Sequence, residues 1–91
     1  MEVTCFILIK THHGKNKIVA KRLETVEEIV DLNEIFGRYD LLIKVQTESI
    51  KKLQEWIQNK LWIIEGISNT ETLIVSSPRE ETEEAEEMDD F

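Results

Sequence analysis

Residues 2 to 10, EVTCFILIK, place Val3, Cys5, Ile7 and Ile9 on one face of an extended chain and Phe6 and Leu8 on the other. Apolar side chains on both faces predict a central strand. The polar stretch 11 to 14, THHG, breaks that run, and residues 15 to 24 then bring Val19, Ala20 and Leu23 to one helical face with Lys17, Lys21 and Arg22 outside it. Residues 26 to 36 return to strand character through Ile29, Val30, Leu32, Ile35 and Phe36. The interleaved Glu28, Asp31, Asn33 and Glu34 suit an edge strand. Gly37-Arg38 separates this run from YDLLIKVQT at 39 to 47, the pattern of a two-residue hairpin with positive φ at its first central residue. Residues 49 to 61 carry Ile50, Leu53, Ile57 and Leu61 at helical spacing, with fraying expected around Trp62. After Gly66, residues 67 to 76 set Asn69, Glu71, Leu73 and Val75 against Thr70, Thr72 and Ile74, which predicts a last strand.

The order β-α-β-β-α-β is the ferredoxin-like, split βαβ arrangement of the α+β class. Right-handed crossovers put both helices on one face of a four-stranded antiparallel sheet ordered 4-1-3-2. The opposite sheet face is left bare. Because the two central strands are apolar on both faces, that bare face calls for a cover, most simply a second copy of the sheet in a dimeric α/β barrel. A folded body this small also buries only roughly 60% of its unfolded surface, which favours oligomerisation.

Charge refines the picture. Eight of the nineteen acids lie after Pro78, so residues 1 to 78 hold eleven acids against ten bases and are close to neutral. Residues 78 to 91, poor in aliphatics, are expected to form an acidic disordered tail beside a domain at 1 to 77. Without a basic stripe, direct nucleic-acid binding is not expected. No apolar run approaches bilayer length and no leader pattern opens the chain, so a cytoplasmic protein without membrane contact is expected. The lone Cys5 has no partner for an internal disulfide, a CxxC motif or zinc. Its alternation with Val3 and Ile7 makes it a small buried hydrophobe. His12 and His13 point differently along a loop and lack a third ligand, so loop solvation outweighs metal binding. Trp56 and Trp62 bracket the end of the second helix, with helix-sheet packing as the simpler role and a subunit anchor as the sharper one.

FGRYDLLIKV at 36 to 45 resembles the Gly-x-Tyr-Asp hairpin of the ligand-binding (RAM) domain of the Lrp/AsnC family, and IEGISNTETLIV at 64 to 75 is similar to its Gly-Val-x-x-Thr-x-Thr last strand. The resemblance spans residues 2 to 76, with Glu65 where the family commonly has proline. It implies a stand-alone form without a helix-turn-helix domain, dimers joined through open sheet faces, and rings of dimers such as octamers. It also implies an amino-acid effector near the hairpin, no cofactor and no catalysis. Modulation of transcription or amino-acid metabolism would then run through partners, among them a full-length regulator of the family with which a structural subunit could co-assemble.

A free amino acid presents an ammonium, a carboxylate and a side chain, and the chain offers matching groups. Asp40 can accept from the ammonium, although local bonding that stabilises the hairpin is its plainer role. The backbone around Gly37 and Arg38, or the Arg38 guanidinium, can meet the carboxylate. Tyr39 is more often a core or interface aromatic. Thr70 and Thr72 add hydroxyls on one face of the last strand, a role that rests on the family. A cofactor-independent enzyme of the dimeric ferredoxin-like barrel type is the alternative. The strand interiors, however, are aliphatic, and no His, Cys and acid trio converges.

Overall fold

A computed structural model describes residues 2 to 77. Its elements are β1 (Val3–Thr11), α1 (Asn16–Glu24), β2 (Ile29–Glu34), β3 (Leu41–Thr47), α2 (Ile50–Trp56) continued by a π-helical stretch (Ile57–Leu61), and β4 (Ile67–Ile74). They form one antiparallel sheet in the order β2-β3-β1-β4, the expected topology. The acidic stretch 78 to 91 lies outside the described residues.

The strand pattern of the sequence translates into two sheet faces. Cys5, Ile7 and Ile9 pair with Val45, Ile43 and Leu41, and all six are fully buried beneath the helices. Burying each large aliphatic contributes about 1.5–3 kcal/mol. Val19, Ala20 and Leu23 of α1 close this core, as their spacing predicts, together with Leu53 and Trp56 of α2 and Leu61. The alternate positions form the uncovered face. There Phe6 lies opposite Lys44 and Leu73, and Leu8 opposite Leu42 and Glu71. Phe6, Leu8 and Leu42 are half-buried by their neighbours alone, and Leu73 is exposed.

Three element boundaries differ from expectation. The second strand begins at Ile29 rather than 26, because residues 26 to 29 form a turn in which Ile29 N donates to Val26 O at 3.3 Å; it ends at Glu34, and a bulge at Val30 interrupts its pairing with β3. The hairpin is not a two-residue turn. Ile35 N donates to Asp40 O at 3.0 Å, so Phe36, Gly37, Arg38 and Tyr39 all lie in the loop, with Gly37 at φ 125 as its positive-φ residue. The second helix starts with Ser49 as N-cap, its hydroxyl accepting from Lys52 N at 3.2 Å. It then shifts from α to π geometry, Trp62 N donating to Ile57 O at 2.9 Å. This wider turn keeps Leu61 and Ile64 on the core while Trp62 and Ile63 face solvent. Trp56 therefore fulfils the packing role and Trp62 does not.

Side-chain bonds tie the segment before β2 to the second helix. Trp56 Nε1 donates to Glu28 Oε1 at 3.1 Å and Lys60 Nζ lies 3.4 Å from Glu28 Oε2. Partial burial pushes the Glu28 carboxyl up. Its own backbone N–H, the Lys60 charge and the two side-chain bonds outweigh that and hold it below the usual carboxylate range.

Candidate functional site

The hairpin loop is anchored at its second limb. Asp40 N donates to Ile9 O at 2.9 Å, the last rung between β3 and β1. Beyond that rung the loop turns away, and Asp40 Oδ2 takes both the Thr11 backbone N–H and the Thr11 hydroxyl, each at 2.9 Å. Lys10 Nζ stands 3.8 Å from Asp40 Oδ1. The Thr11 backbone bond, then its hydroxyl bond, lower the Asp40 pKa against a smaller desolvation effect, and Lys10 adds to the lowering. Asp40 is thus a retained anion and also the clamp between hairpin and β1. Thr11, which the sequence did not single out, is the residue that builds it. Its partner is 29 positions away, so only the strand register reveals the pair.

Tyr39 extends from the same loop to the opposite edge strand, its hydroxyl donating to Glu71 Oε1 at 2.8 Å. That bond, with the negative charge behind it, raises the phenol pKa. Glu71 faces Leu8 in the register and so belongs to the uncovered face. It too is a residue that sequence reasoning missed, since an acid on an edge strand carries no local signal.

Thr70 and Thr72 fall elsewhere. They pair with the buried Ile9 and Ile7, which puts their side chains on the helix-covered face at the β4 edge, where Trp62 Nε1 is 3.4 Å from Thr70 Oγ1. Within one chain the structure therefore joins Tyr39 and Asp40 but does not bring Thr70 and Thr72 to them. Gly37 and Arg38 are exposed at the loop tip, and a Cβ added at Gly37 would meet nothing within 4 Å.

Two shallow clefts flank these groups. One of about 390 Å³ runs beside Asp40, Thr11, Lys10, His12 and Asn16, and one of about 330 Å³ lies between Trp62, Ile67 and Thr70. Both histidines are exposed on the loop after β1, and among the described residues no three His, Cys, Asp or Glu side chains are grouped to hold a metal ion. Cys5 is fully buried, and burial pushes its thiol up to about 11, which keeps it from acting as a thiolate. Among the described residues no helix is long and apolar enough to cross a membrane.

The described residues thus form a sheet with one bare apolar face and a clamped, charged hairpin at its end. The family model of the Lrp/AsnC ligand binding domain matches residues 4–85. The chain belongs to this family. Among curated relatives, the HTH-type transcriptional regulator FL11 of Pyrococcus furiosus is 37% identical over 82 residues, covering 90% of this chain and 54% of its own length. The solved structure of AsnC from E. coli is 35% identical with a TM-score of 0.80, covering 88% of this chain and 55% of that one. The transcriptional regulator NMB0573 of Neisseria meningitidis, solved in complex with L-Met, has a TM-score of 0.79 at 13% identity, covering 89% and 54%; this is a likeness of fold. The chain spans about half the length of the curated relatives it matches.

Proposed function

We propose that this domain is a non-catalytic module that binds a small amino acid at the hairpin and acts as an oligomer, modulating transcription or amino-acid metabolism through partner proteins. The observation that carries the reading is the Asp40 carboxylate. It is fixed by two bonds from Thr11 on Oδ2, kept ionised, and left with acceptor capacity on Oδ1, where Lys10 is 3.8 Å away. A charged acceptor held in place suits an ammonium, and the backbone donors and guanidinium of Gly37 and Arg38 suit a carboxylate. An amino acid is the bound molecule in the Neisseria regulator of the same fold. Thr70 and Thr72 enter such a site only if a neighbouring copy presents them to the hairpin, which fits a ligand seated between subunits.

The bare sheet face supports the oligomer. Phe6, Leu8, Leu42 and Leu73 form a contiguous apolar set in register across β3, β1 and β4, and a second sheet is the surface that matches it. The family's rings of dimers are the larger assembly proposed. Near-neutral charge over residues 1 to 78 argues against duplex DNA as a direct ligand of this 91-residue chain.

Thermal-shift measurement against the twenty amino acids tests the reading, because a ligand that binds only the folded state raises its stability. A rise for one or a few amino acids is expected. Asp40→Asn should then weaken the responsive ligand by roughly tenfold or more, the scale of a lost bond to a charged group. No response to any amino acid, or an unchanged affinity in Asp40→Asn, would remove the hairpin from consideration.

A further inference from the structure

Charge is distributed unevenly through the near-neutral body. Residues 3 to 23 contain no acid, five Lys or Arg and both histidines. Lys10 is paired with Asp40, but among the described residues Lys15, Lys17, Lys21 and Arg22 form no ion pair. All four are exposed on or beside α1. Lys15, Ile18 and Arg22 follow one another at steps of three and four, a single stripe of the helix surface. With His12, Glu65 and Gly66 they line an open cavity of about 290 Å³ on the helix side of the molecule.

Several backbone contacts fix this cavity. His12 N donates to Gly66 O at 2.8 Å, and His12 O accepts from Lys15 N at 2.9 Å. Gly66 has φ +103, and a Cβ there would stand 2.8 Å from Val19 Cγ2 and 3.2 Å from Lys15 Cβ. The approach to β4 thus rests on the stem of Lys15 as only glycine permits. The root of the Lys15 side chain and the His12 backbone are therefore held in place before any ligand arrives, which lowers the ordering cost of binding.

The geometry points to a binding site for a small phosphomonoester. The Arg22 fork, the Lys15 ammonium and an imidazole N–H of His12 supply more donors than one carboxylate needs, and a dianionic phosphate with three terminal oxygens uses them all. Glu65, the one acid in the lining, opposes a bare anion but accepts from a hydroxyl or amine on the ligand's carbon skeleton. Ile18 is the apolar wall for that skeleton. The volume is at the small end of ligand pockets, about 300 Å³ upward, so the skeleton is a few carbons long. His12 also borders the cleft beside Asp40, but Arg22, Lys15 and Glu65 belong to this site alone, and it does not depend on the amino-acid reading.

Calorimetric titration of the full chain with glycerol 3-phosphate in phosphate-free chloride buffer is the test. One saturable site per chain is expected, weakened by roughly tenfold or more in Arg22→Gln and in Lys15→Gln. Lys51→Gln on α2 should leave it unchanged. Glu65→Gln should strengthen inorganic phosphate, which it no longer opposes, more than glycerol 3-phosphate, whose hydroxyl exchanges a charged acceptor for a neutral one, and loss of structure would strengthen neither. Absence of saturable binding, or an equal loss in Lys51→Gln and Arg22→Gln, would overturn the assignment. Retention of labelled duplex DNA by the wild type and its loss in Arg22→Gln would also overturn it, by showing that α1 is a polyanion surface.

Discussion

Asp40 and Cys5 show how surroundings push two acidic side chains in opposite directions. Thr11 gives Asp40 two donors, so the folded pKa lies below the unfolded value of about 3.9. A depressed carboxyl contributes stability above its unfolded pKa and loses it as pH falls through the folded one. Asp40→Asn should therefore melt lower than the wild type at pH 7, and the gap should narrow as pH falls below the unfolded value of about 3.9, as read by circular dichroism melting at each pH. A constant gap would mean that the Thr11 bonds carry no charge-dependent stability. Cys5, by contrast, has its thiol pushed up by burial to about 11. Its modification by an aromatic disulfide reagent at pH 8 should be slow in buffer and accelerate as denaturant is added, because reaction requires the β1–β3 core to open. Rapid labelling of the native chain would contradict that burial.

At the scale of elements, the second helix carries the most information. Ser49 sits at the end of the β3 connection with extended backbone and caps Lys52 N, and Thr47 Oγ1 donates to Ser49 O at 2.9 Å. Ser49→Ala should cost about 1 kcal/mol in urea unfolding, with the slope against denaturant unchanged. A π turn follows, closed by Trp62 N donating to Ile57 O. Trp56, before the turn, is in the core with its indole N–H on Glu28; through the turn Leu61 and Ile64 stay inside while Trp62 is sent outward. Simple α spacing predicts Ile50 in the core, but Ile50 is half exposed and Trp56 takes the place.

For the whole molecule the unbalanced feature is the bare sheet face. Light scattering at micromolar concentration should report a dimer or larger species, and Leu8→Lys should shift it toward monomer without loss of strand signal, since Leu8 faces away from the helices. A monomeric wild type would show that the face has another cover. Residues 78 to 91 hold eight acids and few apolar side chains. Truncation after Ser77 should accordingly leave cooperative unfolding and assembly intact, because that segment has little apolar surface to offset the entropy of ordering. Loss of either property would give the tail a packing role. The family model reaches residue 85, which makes this the truncation of greatest interest.

Alternation of apolar residues by itself determined the six elements, their order and the inward faces of β1, β3 and α1, because period 2 and period 3.6 leave few ways to bury Ile7, Ile43 and Leu23 together. The motifs around Gly37 and Thr70 marked the family in the same one-dimensional way. Only the tertiary structure decided what these residues touch. Asp40 meets Thr11 and Tyr39 meets Glu71 across 29 and 32 positions, set by strand register that no local pattern encodes. Trp56 meets Glu28 across 28 positions, a contact made only once helix and sheet have packed. The α1 cavity likewise exists because Gly66 lets the approach to β4 close onto Lys15. Periodicity specifies which side of an element is buried, whereas side-chain chemistry is fixed by which elements end beside one another.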